Sequence, residues 1–225
     1  MTGRRSLPLP ALAALLLLFS TFCEAAVPKQ PIVFFLGASE TAEYGLPSSA
    51  LAFPYLVARR CGVTARASAT PDVPTLLRSP KIPPNSAAIV LTLSFIDAEV
   101  PAPIGTVRRW LARYSSAAPT LVMTTPSIGA LGMRAPTLAG KQHRLYARLD
   151  AAARTDRAVR ISMTMPTPRE RYLQRDGIHP NARGDRLIAR LVESWLQRQG
   201  LCNARRASTR TWTIPRYDGF AIYSG

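Results

Sequence analysis

The stretch Ile32-Val33-Phe34-Phe35-Leu36 (IVFFL), which runs into Gly37-Ala38-Ser39, decides how the rest of the chain is read. Five consecutive apolar residues closed by a glycine are what a strand buried on both faces requires. Similar runs recur at Val63–Ala69, Ala87–Leu93, Thr120–Thr124 and Ala158–Met163, the one at Val63 and the last being weaker. Helical patterns lie between them. Ser49–Arg60 is one, with Pro54 near its start or kinking it. Val73–Arg78 is short, and Ile104–Tyr114 and Lys141–Arg154 are better formed. Asn181–Gln199 is the clearest: Leu187, Ile188, Leu191, Val192, Trp195 and Leu196 recur on one face, with Asn181 as N-cap and Gly200 as stop. Alternating strands and helices predict a three-layer α/β sandwich, with a parallel sheet of about five strands and helices on both faces.

In such a sheet, sites form beyond the C-terminal ends of the strands. Gly37 to Gly45 leaves the first strand at that edge. Asp176-Gly177-Ile178-His179-Pro180-Asn181 follows the last strand and leads into the last helix, so the two segments meet although far apart in sequence. The second segment holds one of only two histidines. Acyl-transfer chemistry wants an imidazole, and a carboxylate that fixes its tautomer and stabilises its charged form. Asp176 and His179 supply both. Ser39 supplies a hydroxyl exposed at a turn, which needs such a base to become a nucleophile. His143 lies in a basic helix with no acid nearby and reads as a surface residue.

Residues 1–25 carry Arg4 and Arg5, an apolar run from Leu9 to Phe22, and small residues after it. This reads as a secretory signal peptide cut after Ala25 or Ala26, and predicts a periplasmic or secreted protein. The run is short for a membrane span, which needs about 20 residues. Residues 26–200 suit one domain with a full core, and residues 201–225, with Trp212, Tyr217, Phe220 and Tyr223, are expected to pack back on it. The segment carries off two arginines and one glutamate, which takes the net charge from +16 to +15. The basic residues are scattered, mostly Arg, and form no dense run, so nucleic acid is not the expected partner. A GC-rich coding bias and an exported location account for the charge equally well, and attraction to an anionic membrane or envelope polymer is a further reading. Without Cys23, the pair Cys61 and Cys202 remains in an exported chain: either a disulfide or two separate thiols. There is no His/Cys cluster at ligand spacing, and Gly37 and Gly45 lie too far apart for a dinucleotide fingerprint, so neither metal nor cofactor is expected.

Phe35-Leu36-Gly37-Ala38-Ser39-Glu40-Thr41-Ala42-Glu43-Tyr44-Gly45-Leu46 resembles the first block of the SGNH (GDSL) hydrolase superfamily, and within it the small exported esterase, thioesterase and lysophospholipase branch. Asp176-Gly177-Ile178-His179-Pro180-Asn181-Ala182, followed by Gly184, resembles the last block. The resemblance implies flavodoxin-like strand order, Ser39 as nucleophile, His179 as general base and Asp176 as the carboxylate that orients it. It places oxyanion donors at the Ser39 N–H and at Ala69, which stands near the family's second-block glycine.

The middle blocks depart from the pattern. Ala38 replaces the Asp of Gly-Asp-Ser. In Leu91-Thr92-Leu93-Ser94-Phe95-Ile96-Asp97, Ser94 stands for the third-block Gly and Ile96 for the Asn, whose side chain is an oxyanion donor. Losing one such donor costs roughly 10²–10³ in rate. Two outcomes follow. Either the chain is an active esterase of a small-molecule or lipid ester, with Ser94 or another donor rebuilding the oxyanion hole, or it keeps the fold and binds an anionic envelope lipid or glycan. The loop Ser127–Gly140 is expected to shape the substrate site. Oligomeric state leaves no trace in the sequence.

Overall fold

The computed structural model describes residues 30–37, 39–41, 45–69, 82–93, 103–126, 136–154 and 158–202. The expected signal peptide, the Val73–Arg78 helix, Ala38, Ser94, Ile96, Asp97 and the tail beyond residue 202 lie outside them. The elements run β1 (Ile32–Gly37), α1 (Phe53–Cys61), β2 (Thr64–Ala69), β3 (Ser86–Leu93), α2 (Ile104–Ala117), β4 (Thr120–Thr124), α3 (Pro136–Ala153), β5 (Ala158–Ser162) and α4 (Ala182–Arg198). All five strands are parallel, in the order β2-β1-β3-β4-β5. This is the expected three-layer α/β sandwich with flavodoxin-like order.

The apolar runs make sense through the sheet's two faces. Side chains alternate along a strand. Val33 and Phe35 of β1 therefore pack with α1 and α4, in a core that includes Phe53, Leu56, Val192 and Trp195. Phe34 and Leu36 point the other way, into a core with Val107, Leu111 and Tyr114 of α2 and Leu145 and Leu149 of α3. The two weaker runs are the two edge strands. β2 (TARASA) is nowhere fully buried where its side chains are described, and β5 exposes Val159. An edge strand has a partner on one side only and needs less apolar surface.

Three boundaries differ from the sequence reading. Ser49–Leu51 is a separate 3₁₀ turn, and α1 begins at Phe53, which puts Pro54 in its first turn where no N–H is needed. α2 continues past Tyr114 to Ala117. α3 begins at Pro136, so residues 136–140 of the expected substrate loop are helix, and 127–135 lie outside the described residues. Proline fits a first helical turn, and here it starts a helix rather than delaying one.

α1 and α4 lie side by side on one face. Ala52, the residue capping α1, offers no side-chain acceptor. Asp185 of α4, 2% exposed, accepts the Phe53 N–H at 3.0 Å and takes that place. Arg60 pairs with Glu193 at 2.9 Å. A disulfide joins Cys61 to Cys202, the former closing α1 and the latter following α4. Among the described residues, no helix is long and apolar enough to cross a membrane.

Candidate active site

β1 ends at Gly37, wedged between neighbours. A Cβ there would stand 2.5 Å from Thr41 Oγ1 and 2.7 Å from Thr92 O of β3, so only glycine lets the chain leave the sheet this close to β3. Ser39 follows at the C-terminal edge, half-buried.

The segment Leu173–Pro180 is a compact loop closed by an antiparallel bridge between its two ends. The Gln174 N–H donates to His179 O at 2.8 Å, and Gln174 Nε2 donates to Pro180 O at 2.9 Å. Gly177 takes the left-handed conformation, φ +70°, that the turn requires. Asp176 Oδ1 accepts the N–H groups of Ile178 and His179 at 2.9 and 3.0 Å. Its other oxygen, Oδ2, meets His179 Nδ1 at 2.6 Å. With Nδ1 so occupied, His179 Nε2 faces Ser39 Oγ at 3.0 Å.

The loop is anchored to α4 through Asn181. Its Oδ1 accepts from the N–H groups of Arg183 and Gly184, which caps the helix. Its Nδ2 donates to Leu173 O at 2.8 Å and Arg171 O at 3.1 Å, and its own N–H donates to Tyr172 O. Gly184 lets the helix approach the segment before the loop, since a Cβ there would overlap Tyr172 O.

Burial pushes the Asp176 carboxyl up, but the hydrogen bonds from Ile178, the His179 ring and the His179 N–H, together with the ring's charge, outweigh it. They hold Asp176 below the ordinary aspartate value. Ser39, His179 and Asp176 are thus one hydrogen-bonded chain: hydroxyl, imidazole, carboxylate. Such a chain can move a proton from the hydroxyl to the ring while the carboxylate stabilises the imidazolium.

Of the expected oxyanion donors, Ala69 ends β2 opposite Gly37 in register, which puts its backbone at the same edge. Ser94 lies outside the described residues. His143 is exposed on α3. Among the described residues, no group of three or more His, Cys, Asp or Glu side chains is placed to hold a metal.

Two features escaped the sequence reading. Glu40, beside the candidate nucleophile, is only 5% exposed. The other is a set of bonds fixing the exit of β4: the Tyr146 hydroxyl donates to Thr125 O at 2.8 Å, and buried Gln142 donates to Tyr146 Oη at 2.9 Å and Pro126 O at 3.1 Å. The only sign of Glu40 in the sequence is a charge three residues after a buried strand. Gln142 and Tyr146, four apart on one helix, leave no sign at all.

No sequence family and no curated protein matches the chain. Solved structures do. A protein from Bacteroides ovatus ATCC 8483 described as a GDSL-like lipase superposes with TM-score 0.56 at 13% identity, over 78% of this chain and 55% of its own. The chain has the fold of the SGNH hydrolases. An acetylxylan esterase from Geobacillus stearothermophilus, Axe2, matches at TM-score 0.56 and 11% identity, over 75% of this chain and 94% of its own. A two-domain esterase active on acetylated mannans matches at 0.54 and 16%, over 82% and 53%. This chain therefore spans little more than half the length of the first and third of these SGNH-fold proteins.

Proposed function

We propose that the protein is an exported serine hydrolase that cleaves an ester or thioester through an acyl-enzyme. The observation that carries this reading is the unbroken chain from Ser39 Oγ to His179 Nε2 at 3.0 Å and from His179 Nδ1 to Asp176 Oδ2 at 2.6 Å. Ser39 Oγ attacks the substrate carbonyl as its proton passes to His179 Nε2. The carbonyl oxygen becomes an oxyanion, met by the Ser39 N–H and, in this reading, the backbone at Ala69 and the Ser94 hydroxyl. Asp176 stabilises the imidazolium, which returns the proton to the leaving alcohol or thiol. Water, deprotonated by the same ring, then attacks the acyl-enzyme and frees the acid and Ser39. No step requires a metal or cofactor.

The neighbours' descriptions, acetylated mannans in one case and acetylxylan in another, make acetyl esters of polysaccharides the first substrates to try. The deciding experiment is labelling with a fluorophosphonate probe, which reports nucleophile activation without the natural substrate. The native protein is expected to label, and the Ser39→Ala and His179→Ala variants are expected to stay dark. Equal labelling of all three removes the proposal. N-terminal sequencing of protein recovered from the periplasm or medium tests export, with a start at Ala26 or Val27 expected.

One observation favours a second reading, binding of an anionic envelope lipid or glycan. An open groove of about 590 Å³ backs onto the loop at Gln174 and Gly177, and two arginines, Arg169 and Arg175, line it against one glutamate, Glu170. That reading predicts salt-sensitive binding to anionic vesicles or acidic glycans that survives Ser39→Ala.

A further inference from the structure

Glu40 is a buried carboxyl that the proposed reaction does not use. Its Oε2 lies 3.5 Å from Ser39 Oγ, and its Oε1 is buried with no hydrogen-bond partner. The void around it, about 10 Å³, has room for one water at most. Its walls come from four places. Thr125 follows β4, Met163 and Met165 follow β5, Ile178 and Pro180 belong to the catalytic loop, and Ile188 belongs to α4. None of these side chains carries a charge. Among the described residues, the titratable group that faces Glu40 is His179, from the loop, with Asp176 bonded behind it.

A carboxylate in such a place leaves a charged oxygen buried and unpaired, which is costly. It also stands beside an oxygen that must lose its proton as it attacks. The neutral acid avoids both penalties and supplies an O–H donor. Ser39 Oγ gives its own proton toward His179 and keeps lone pairs free to accept another.

We propose that Glu40 is a positioning residue that works as the neutral acid, its O–H directed at Ser39 Oγ and holding that oxygen in line with His179 Nε2, and that its ionisation slows the site. The proposal rests on the reading of Ser39 as nucleophile. Glu40 keeps its proton throughout, and only the Ser39 proton travels. Burial pushes the Glu40 carboxyl up, and its own backbone N–H, the charge of His179 and the Ser39 hydroxyl offset this only in part.

Two measurements test it. The first needs no turnover: carbon-13 NMR of the glutamate carboxyls, with the Glu40 signal identified by its loss in Glu40→Gln. Glu40 is expected to titrate above the ordinary glutamate value, and titration at or below that value overturns the proposal. The second is the pH profile of fluorophosphonate labelling. The native rate is expected to fall as pH rises through the Glu40 titration. In Glu40→Gln, whose amide still donates but never ionises, that fall disappears. In Glu40→Leu the rate is roughly tenfold lower throughout, the loss of about one hydrogen bond, and shows no such fall. A Glu40→Gln variant that keeps the native fall, or labels no faster than Glu40→Leu, overturns the positioning role. A native protein that never labels overturns the hydrolase reading and the catalytic part of this one, and the NMR titration then decides the buried acid by itself.

Discussion

Asp176 divides its oxygens between two partners: Oδ1 holds the backbone of Ile178 and His179, and Oδ2 holds the ring. An Asp176→Asn side chain still accepts the backbone N–H groups but presents an amide to Nδ1, which favours the wrong tautomer. Labelling is expected to drop on the order of 10⁴-fold with the fold intact, the scale seen when the equivalent carboxylate of a serine protease is amidated. The two perturbed carboxyls also pull stability in opposite directions with pH. Asp176 is held below its ordinary value, so its contribution is present above the ordinary aspartate range and is lost as pH falls through the depressed value. Glu40 is pushed above its ordinary value of 4.5, so stability is highest below that pH and declines as pH rises through the folded value. Thermal melts across pH are therefore expected to show Asp176→Asn losing part of the acid-side decline, and Glu40→Gln flattening the decline above pH 4.5. An unchanged Glu40→Gln curve contradicts the buried neutral acid.

At the scale of elements, α4 joins the Asp176–His179 loop to the core. Asn181→Ala removes the cap, worth about 1–2 kcal/mol, and also leaves the Leu173 and Arg171 carbonyls without their donor. Gly184→Ala forces a methyl onto Tyr172 O, an overpacking that costs about 1–3 kcal/mol. Urea unfolding is expected to register both losses, and labelling to slow as well, because the Asn181 cap anchors the loop that carries His179. These features were largely legible. Asn181, Gly184 and the amphipathic stripe of α4 are local patterns, as are the runs of β1, β3 and β4, which face packed helices on both sides. β2 and β5 were faint because they are edges, a status set by strand order. The start of α3 was misplaced because Pro136 reads as a break, although a helix tolerates proline in its first turn.

Across the whole molecule, the Cys61–Cys202 bond closes a loop of sequence separation 141. α1 runs back along the sheet after β1, so its last residue lies near the start of β2, which pairs with the start of β1. The bond therefore sits at the sheet edge opposite Ser39. Reduction, or Cys61→Ser with Cys202→Ser, is expected to lower unfolding free energy by about 2–5 kcal/mol, the usual cost of removing a native disulfide. The labelling rate at temperatures below the transition is expected to stay near native. A large loss of labelling in a still-folded double variant contradicts this separation of staple and site.

The sequence by itself determined the layer type, the parallel sheet, the start of the last helix and the residue types of the Asp176–His179 loop. Each of these is written in short-range periodicity, where a residue's neighbours in the chain are its neighbours in space. The tertiary structure alone decided what crosses the sheet. It brought Ser39 to within 3.0 Å of His179 across 140 positions, made β2 and β5 the edges, and set Asp185 as the cap of α1. It also buried Glu40, because the burial of a charged side chain depends on what folds over it. Here four separate segments of chain do so, and no local pattern records their meeting.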